Sequence, residues 1–279
     1  MPPGMGMMDD YQAGSDQAHR TSGSTAPGGT APDTANLVAR FEAMMARVEA
    51  EAEVDDESLP DRLCRAVADV LGVDGTAISV YLGADIAVPV GSNHLAASVG
   101  EALQFTVREG PCFEAYGSRL PVLVPDVDSP ESSAWARWPT YAAQLTEHTN
   151  YHGVFAYPLL ADGVAMGSLS LFRRVGGRPD YLNDVEVIAT RVADRLLAAE
   201  IFTGPDSEPV HRWMEGPNSR RRRLVWLAQG LTLQANRITP AQAMELLRAQ
   251  AFSADRLLDD LAADIVSGEI AVPVLESHQ

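Results

Sequence analysis

Four consecutive arginines, Arg220 to Arg223, form the strongest concentration of positive charge in the sequence, and Trp226 follows them closely. Arginine can contact phosphate or stack on a base, and tryptophan can stack on an unpaired base. Arginines at a helix N-terminus also oppose the helix dipole, which favours a partner for their charge. The combination indicates a surface for nucleic acid, with Arg237 and Arg248 as weaker candidates.

Helical geometry predicts which residues share that surface. If Leu224 faces a core, steps of about 100° per residue place Arg222, Trp226, Gln229 and Leu233 on the opposite side. The alternative is that Trp226 and Leu233 pack against the preceding domain or a partner chain. Both interpretations stay open at this point.

Cys112 is the residue most suited to redox or covalent chemistry. It follows Glu109, Gly110 and Pro111, a tight loop that predicts a helix beginning with proline in its first turn. A helix N-terminus favours the thiolate, which would suit a redox or ligand-attachment cysteine. The favoured alternative is a small, inert, buried side chain, and Cys64, on the apolar face of its own helix, is expected in the core.

No pattern typical of an enzyme or a metal site is found. The sequence contains no P-loop, no strand-coupled GxGxxG, no HExxH and no GxSxG. Glu147, His148 and His152 are close in sequence, but a helix end is expected between the histidines and a metal site needs three or four converging ligands. We therefore expect no enzymatic activity and no metal, and the sequence names no cofactor.

Composition describes an ordinary folded protein of 279 residues, 46% hydrophobic and 21% charged, with a net charge of -17. The acidic excess lies before residue 210, while the last seventy residues are neutral overall and contain the arginine run. No apolar run approaches the ~20 residues that span a bilayer, and no secretory signal is recognisable. Two cysteines cannot form a disulfide framework, so we expect a cytoplasmic protein.

The middle of the chain predicts an α+β fold with a mainly antiparallel sheet. A helix with a stripe of Leu37, Phe41, Met44 and Val48 precedes it, and a short helix ends at Gly72. Runs of β-branched and aromatic residues then predict strands, and Asp162-Gly163 predicts a hairpin between the last two. These strands are Thr76 to Leu82, Ile86 to Val90, Pro121 to Val124, Val154 to Leu160 and Ala165 to Phe172. Helices are expected near Asn93 to Gln104 and Trp138 to His148.

A long helix is predicted from Asp180 to Phe202. Its apolar residues step by three and four, as in coiled coils: Leu182, Val185, Ala189, Val192, Leu196 and Ala199. This stripe can pack on the sheet or form a dimer seam. We favour the seam, with the first helix joining it in a homodimer.

The last sixty residues predict three short helices and no strand. Leu224, Leu227, Ala228, Leu231 and Ala235 share one face of the first helix. A capping box beginning at Thr239 opens the second helix, whose inner face holds Ala243, Leu246, Leu247, Gln250 and Ala251. The third directs Leu258, Leu261, Ala262 and Ile265 inward and stops at Gly268.

This tail, "LVWLAQGLTLQANRITPAQAMELLRAQAFSADRLLDDLAADIV", resembles an ANTAR domain. The family pattern has an Ala-x-Gly step in the first helix, an alanine and Leu-Arg in the second, and a small and aliphatic pair ending the third. These fall on Ala228 and Gly230, on Ala243, Leu247-Arg248 and Ala251, and on Ala262 to Val266. A basic residue is common between the Ala and Gly, where this chain has Gln229.

Residues 59–202 resemble a GAF domain of the kind found ahead of ANTAR domains in actinobacterial regulators. The resemblance is carried by "GVDGTAISVYLG", "LQFTVREGPCFEAY", "PVLVPDVDSP", "RWPTYAAQL", "GVFAYPLL" and "GVAMGSLSLFR", in this order. It implies a sensory domain with a cavity for a small molecule, expected to be lined by Phe105, Cys112, Tyr116, Trp138, Tyr141 and Phe155. It also implies binding of paired RNA stem-loops, not DNA, and transcription antitermination.

The expected organisation has five parts: a disordered tail 1–33, a helix and acidic linker 34–58, the GAF domain 59–202, a linker 203–218 and a three-helix ANTAR bundle 219–272. The expected RNA-binding residues are Arg220, Arg221, Arg222, Arg223, Trp226, Gln229, Gly230, Arg237 and Arg248. The alternative function is a protein-interaction module whose helical tail docks a partner protein without binding RNA.

Overall fold

A computed structural model describes residues 34–51, 58–83, 86–129, 131–199, 201–202 and 210–275 of the chain. The predicted tail 1–33, the acidic stretch 52–57 and residues 203–209 of the second predicted linker lie outside the described residues.

One antiparallel sheet of five strands forms the centre of the GAF-like part. Its strands are β1 (Gly75–Tyr81), β2 (Ala87–Ser92), β3 (Val122–Val124), β4 (Gly153–Ala161) and β5 (Val164–Arg173), in the spatial order β2-β1-β5-β4-β3. The β4–β5 hairpin turns at Asp162 and Gly163, both with positive φ, as a tight two-residue turn requires. All five predicted strands and the predicted hairpin are confirmed.

Helices cover both faces of the sheet. They are α1 (Thr34–Glu51), α2 (Leu59–Leu71), α3 (Leu95–Val107), α4 (Pro111–Ser118), α5 (Ser133–Arg137), α6 (Pro139–His148) and α7 (Val185–Ala198). Helices α1, α2 and α7 pack on one face, where the sheet contributes large apolar residues such as Ile78 and Leu169. Helices α3, α4 and α6 lie on the opposite face. The sequence does not predict α5.

The helix predicted over Asp180 to Phe202 is shorter than expected. Residues Asp180–Asp184 form a 3-10 turn, α7 ends at Ala198, and two-residue strands β6 (Ile201–Phe202) and β7 (Val210–His211) follow. The carbonyl of Leu196 accepts a hydrogen bond from Trp213 Nε1 at 3.0 Å. Side chains from the returning chain therefore satisfy the helix end, where more helix was predicted.

The apolar stripe on α7 faces the chain's own core, so its assignment as a dimer seam is wrong. Val185, Ala189, Val192 and Leu196 are all 1% exposed or less, and they pack with α1, α2 and the sheet. Because these side chains are already covered within one chain, none is free to form an intermolecular seam. Homodimer formation itself remains a prediction. In α1 the buried methionine is Met45 rather than Met44, which is partly buried.

The C-terminal part consists of three helices, α8 (Pro217–Asn236), α9 (Pro240–Ser253) and α10 (Leu258–Ser267), which pack on one another. The capping box at Thr239 and Gln242 is present, and Gly268 ends α10 with φ of 82°. The inward residues predicted for α10 are all buried. In α9, Leu246 and Gln250 are only partly buried, and Met244 takes an inner position. These helices also contact β2 and α3.

The predicted inner face of α8 is rotated from the observed one. Leu227 and Leu231 are 57% and 42% exposed, whereas Val225 and Thr232 are fully buried. Of the predicted set only Ala228 is fully buried. The reason is that α8 packs against β2 as well as against α9 and α10. The sheet edge and the other two helices together determine which side of α8 is buried. No helix in the described ranges is both long enough and apolar enough to cross a membrane.

We predict that Val192→Asp disrupts folding of the GAF-like part instead of separating a dimer. A charge placed at this fully buried position has no partner there, so the free energy of unfolding should fall by about 4 kcal/mol or more. Urea denaturation measures the loss, with Leu197→Asp, at a 46% exposed position of the same helix, as the control. Equal stability of the two variants would contradict the burial of the stripe.

Candidate ligand site

The sheet face opposite α1, α2 and α7 carries short side chains in its middle. Ser79 on β1 lies beside Ser168 on β5, and Ser170 lies between Ala77 and Ala156 on the neighbouring strands. All five residues are 2% exposed or less. Because short side chains leave space above a sheet, longer polar groups from α3 and α4 can reach down to this floor.

Glu101, on α3, places a carboxyl group over this floor. Its oxygens accept hydrogen bonds from Ser79 Oγ at 2.5 Å, Ser170 Oγ at 2.6 Å and Gln104 Nε2 at 3.1 Å. The Cys112 thiol is a fourth donor, at 3.3 Å. All four donors are neutral, and Glu101 is 5% exposed. Ser79, Glu101, Gln104, Cys112 and Ser170 together are called the polar cluster below.

Cys112 lies in the first turn of α4, as the sequence predicts, but its environment opposes the thiolate. Burial, and secondly the nearby Glu101 carboxylate, raise the pKa of the thiol well above its usual value. Its Sγ lies 2.8 Å from Ser170 Oγ and 2.9 Å from Gln104 Nε2. The protonated thiol is a poor nucleophile, so this geometry matches the inert interpretation and not the redox one.

The backbone conformation just before Cys112 depends on a glycine. Gly110 has φ of 143°, a backbone conformation that side chains rarely permit, and a Cβ there would lie 2.4 Å from Gln104 Oε1. The absence of a side chain lets Gln104 Oε1 accept the backbone N–H of Cys112 at 2.8 Å. Gln104 thus fixes the start of α4 relative to α3.

Tyr141, on α6, is one of several buried polar groups that the described residues leave without a hydrogen-bond partner. The residue is 2% exposed, and its hydroxyl has no hydrogen-bond partner among the described residues. Burial raises its pKa well above the usual value, with smaller contributions from Cys112 and Glu101. Tyr141 packs in the same buried cluster as Cys112, and its free hydroxyl can donate to a group that is not part of the chain.

The six residues predicted to line the cavity do not converge on one place. Cys112, Trp138 and Tyr141 share one apolar cluster above the sheet. Phe105 and Tyr116 belong to another, which includes residues of α8, α9 and α10. The prediction for Phe155 is wrong: it lies on the opposite face with α1, α2 and α7, because strand residues alternate and its neighbours Val154 and Ala156 face the site.

Sequence reasoning missed Ser79, Glu101, Gln104 and Ser170. The serines alternate with large apolar residues in strands that are otherwise apolar, and this period-2 pattern was available as a signal. Glu101 and Gln104 gave no comparable signal, because α3 is buried on nearly all sides and its polar residues resemble those of a surface helix in sequence.

The arginine run is mostly occupied by contacts within the chain. Arg222 is the clearest correction: predicted on an exposed RNA face, it is 1% exposed and paired with Asp259 at 2.8 Å. Arg221 pairs with Asp260, and Arg223 pairs with Glu215 at 2.8 Å through both terminal nitrogens. Arg220 remains exposed and donates to the Glu215 carbonyl.

The other predicted RNA contacts have mixed surroundings. Trp226 is partly buried against both the GAF-like core and the C-terminal core, which is the alternative noted for it. Gln229 Nε2 donates to the carbonyl of Pro240 at 2.7 Å, linking α8 to α9. Arg248 is 11% exposed, close to Phe105 and Glu245. Gly230 and Arg237 are exposed.

The two histidines considered as metal ligands are directed to different partners. His148 lies 2.9 Å from Asp255, and His152 is hydrogen-bonded to Asp128. Glu147, His148 and Asp255 are close enough to share an ion, but all three are exposed and such groups commonly occur without a metal.

The raised pKa values of Cys112 and Tyr141 predict a loss of stability in alkali. An unfolded cysteine loses its proton near pH 8.5 and an unfolded tyrosine near pH 10, while the folded chain retains both protons. The free energy of unfolding should therefore fall as the pH rises above about 8.5, and more steeply above about 10. Urea titrations at a series of pH values measure it.

Two variants separate these contributions. Cys112→Ala should reduce the fall that begins near pH 8.5, and Tyr141→Phe should reduce the fall that begins near pH 10. Profiles identical to that of the unaltered protein would contradict the buried, protonated state of both groups.

Comparison with known proteins assigns part of the chain to a family. Residues 57–198, half of the chain, match the GAF domain family, and α8, α9 and α10 lie outside the matched range. The comparison with curated proteins gives no match.

Several solved structures match part of the chain. The GAF domain of a phosphoenolpyruvate-protein phosphotransferase from Coxiella burnetii is 14% identical, covering 59% of this chain and 95% of its own, with a TM-score of 0.42. The free methionine-R-sulfoxide reductase of Neisseria meningitidis is 16% identical, covering 61% and 94%, with a TM-score of 0.39. The bacteriophytochrome chromophore-binding domain of Stigmatella aurantiaca is 13% identical, covering 63% of each chain, with a TM-score of 0.41. By its family match over residues 57–198, the chain belongs to the GAF domain family.

Proposed function

We propose that this protein is a cytoplasmic, signal-responsive regulator of transcription and not an enzyme. Its GAF domain binds a small molecule at the polar cluster, and its C-terminal helices bind RNA stem-loops to cause antitermination. The observation that carries the proposal is that one helix, α3, contributes both to the polar cluster and to the contact with the C-terminal helices.

The chemistry of the polar cluster supports ligand binding. The carboxyl group of Glu101 is buried among neutral donors, and Tyr141, which packs in the same buried cluster as Cys112, has a hydroxyl without an acceptor among the described residues. Buried polar groups are nearly always hydrogen-bonded, so an unsatisfied one beside other polar groups marks a place where a bound molecule can complete the network. A small molecule with a hydrogen-bond acceptor suits Tyr141.

Helix α3 gives this site a short route to the C-terminal helices. Glu101 and Gln104 belong to the polar cluster, while the next residues, Phe105 and Thr106, contact α8 and α10. A ligand that displaces the hydrogen bonds of Glu101 and Gln104 shifts or rotates the same helical turn that holds the C-terminal helices. The ligand therefore interacts differently with the two positions of α3, as any ligand-controlled switch requires.

The exposed side of α8 offers a surface for RNA. Helix α8 contains four arginines and no acidic residue in a chain of net charge -17. Arg223, which also pairs with Glu215, and Leu227, Gly230 and Gln234 follow one another at helical spacing along this side, and Arg237 lies just past the end of the helix. This stripe is rotated by about one residue from the face expected from sequence, since Arg222 and Trp226 turn inward.

Gly230 is the residue of this stripe that internal packing does not explain. It lies in the middle of α8, and a Cβ placed there meets no atom within 4 Å. Glycine in a helix interior costs about 1 kcal/mol relative to alanine. Because Gly230 has no side chain, an RNA backbone can approach α8 closely at this position. This agrees with the resemblance of the tail sequence to ANTAR domains.

A second candidate function, docking of a partner protein, is favoured by the apolar character of the same side. A groove of about 470 Å³ is lined by Arg220, Arg223, Leu224, Trp226 and Leu227. The salt dependence of binding distinguishes the two functions: phosphate contacts release counterions, so RNA affinity falls steeply with ionic strength, whereas an apolar contact loses little.

We predict that Gly230→Ala stabilises the protein and weakens RNA binding at the same time. The added methyl group enters open space, so the free energy of unfolding should rise by up to about 1 kcal/mol. Affinity for a pool of short stem-loop RNAs should fall about tenfold, which is about 1.4 kcal/mol. Urea denaturation and RNA titration measure the two effects.

Gly117→Ala is the matched control. Gly117 also lies in a helix, is exposed and has open space around its Cβ position, but it belongs to α4 of the GAF domain. It should gain stability without any change in RNA affinity. If Gly230→Ala leaves RNA affinity unchanged as well, α8 is not the RNA surface.

A further inference from the structure

The guanidinium group of Arg222 lies in the interface between the C-terminal helices and the GAF domain. Its Nε and Nη2 donate to the two carboxylate oxygens of Asp259, on α10, at 2.8 and 3.0 Å. Its Nη1 donates to the carbonyl of Ala87, on β2, at 2.8 Å. The group stacks on the ring of Phe105, on α3, at 3.4 Å from the ring centroid. One side chain therefore joins α8, α10, β2 and α3.

Further contacts hold the same interface. The guanidinium carbon of Arg248, on α9, lies 5.3 Å from the centroid of the same Phe105 ring. The backbone N–H of Leu258 donates to Thr106 Oγ1 at 3.1 Å. Leu258 is the first residue of α10, where an N–H has no acceptor within the helix, so the hydroxyl of the GAF domain satisfies it.

We attribute to this buried ion pair a contribution to specificity more than to stability. The cost of removing both charges from water offsets most of their attraction, so a well-packed apolar pair would hold the interface as well. A charged pair instead imposes one arrangement, because Arg222 is satisfied only when Asp259, Ala87 and Phe105 are all in place. When the interface opens, water can solvate both charges, which lowers the cost of opening relative to an apolar interface.

We infer that Arg222, Asp259 and Phe105 form an autoinhibitory latch that holds the C-terminal helices against the GAF domain. In the latched state Arg222 and Arg248 are withheld from any polyanion, since they are 1% and 11% exposed. Release of the latch makes both available beside the exposed stripe of α8. The latch deepens the proposed function. The latch itself rests on the contacts described above, and only its effect on RNA binding rests on the proposed function.

The position of Phe105 and Thr106 links the latch to the ligand site. They directly follow Gln104, whose side chain bonds Glu101 and the thiol and backbone of Cys112. A ligand that draws Gln104 or Glu101 away from these partners also moves Phe105 from beneath Arg222. The signal is thus expected to activate RNA binding by opening the latch.

The test compares Asp259→Asn with Asp264→Asn in the full-length chain. The first variant removes the charge partner of Arg222, whereas the second removes an ion pair with Arg256 that lies within the C-terminal helices. Hydrogen exchange of the Leu258 amide reports the interface directly, because its acceptor belongs to the GAF domain. The Gln242 amide, bonded to Thr239 Oγ1 in the capping box, reports the integrity of the C-terminal helices themselves.

We expect exchange at Leu258 to accelerate at least tenfold in Asp259→Asn and to be unchanged in Asp264→Asn, with Gln242 unaffected in Asp259→Asn. Affinity for a pool of short stem-loop RNAs should rise in Asp259→Asn. Equal exchange at Leu258 in both variants would overturn the latch. Faster exchange without a gain in RNA affinity would support the latch and count against RNA as the target.

A second variant covers the case in which Asp259→Asn fails to fold. Phe105→Leu keeps the charged pair but removes the ring beneath Arg222. It should accelerate exchange at Leu258 while the amides of β4 and β5 stay protected. Protection at Leu258 equal to that of the unaltered protein would overturn the latch in this variant also.

Discussion

The buried charge of Arg222 constrains the arrangement of everything around it. A guanidinium group cannot lose its proton inside a protein, so once it is removed from water it must be fully paired. Asp259 supplies the opposite charge, Ala87 a carbonyl and Phe105 an aromatic face. These three groups come from three elements in two parts of the chain. The rotation of α8 and its position on the sheet edge follow from bringing them together.

The polar cluster obeys the related rule that buried polar groups are hydrogen-bonded. Glu101 is satisfied by hydroxyl, amide and thiol donors instead of a cation, and these donors come from β1, α3, α4 and β5. Neutral donors leave the carboxylate less tightly held than an arginine would. The Tyr141 hydroxyl beside them is unsatisfied. Among the described residues, the interior of the GAF domain therefore holds a polar network beside a hydroxyl that has no hydrogen-bond partner.

Helix α3 lies between these two charged centres. Its residues from Gly100 to Thr106 are buried, since it is covered by the sheet on one side and by α6, α9 and α10 on others. Motions of packed helices are typically small sliding movements, so we expect a displacement of α3 to be passed to the elements packed on it. The residues for sensing and those for holding the C-terminal helices share two of its turns, which keeps the route between them short.

Local order was readable in the sequence. The five strands were predicted from the residue types of short segments, although their pairing joins distant residues. The Asp162-Gly163 turn, the capping box at Thr239 and the stop at Gly268 depend on contacts between residues close in the chain, and each was predicted. The α+β class follows from the order of these elements. The resemblance to GAF domains was also visible, because it rests on short strings in a fixed order.

What the sequence could not decide is which way each element turns toward its partners. The apolar stripe of α7 suits a dimer seam and a sheet equally well, and the leucines of α8 suit a core that in fact forms on Val225 and Thr232. Arg222 appeared exposed because charge normally is, and Glu101 passed unnoticed for the same reason. Periodicity determines that a helix has two sides. Only contacts between residues far apart in the chain, such as Arg222 with Asp259 and Glu101 with Ser170, decide which side is buried and which charges are buried with it.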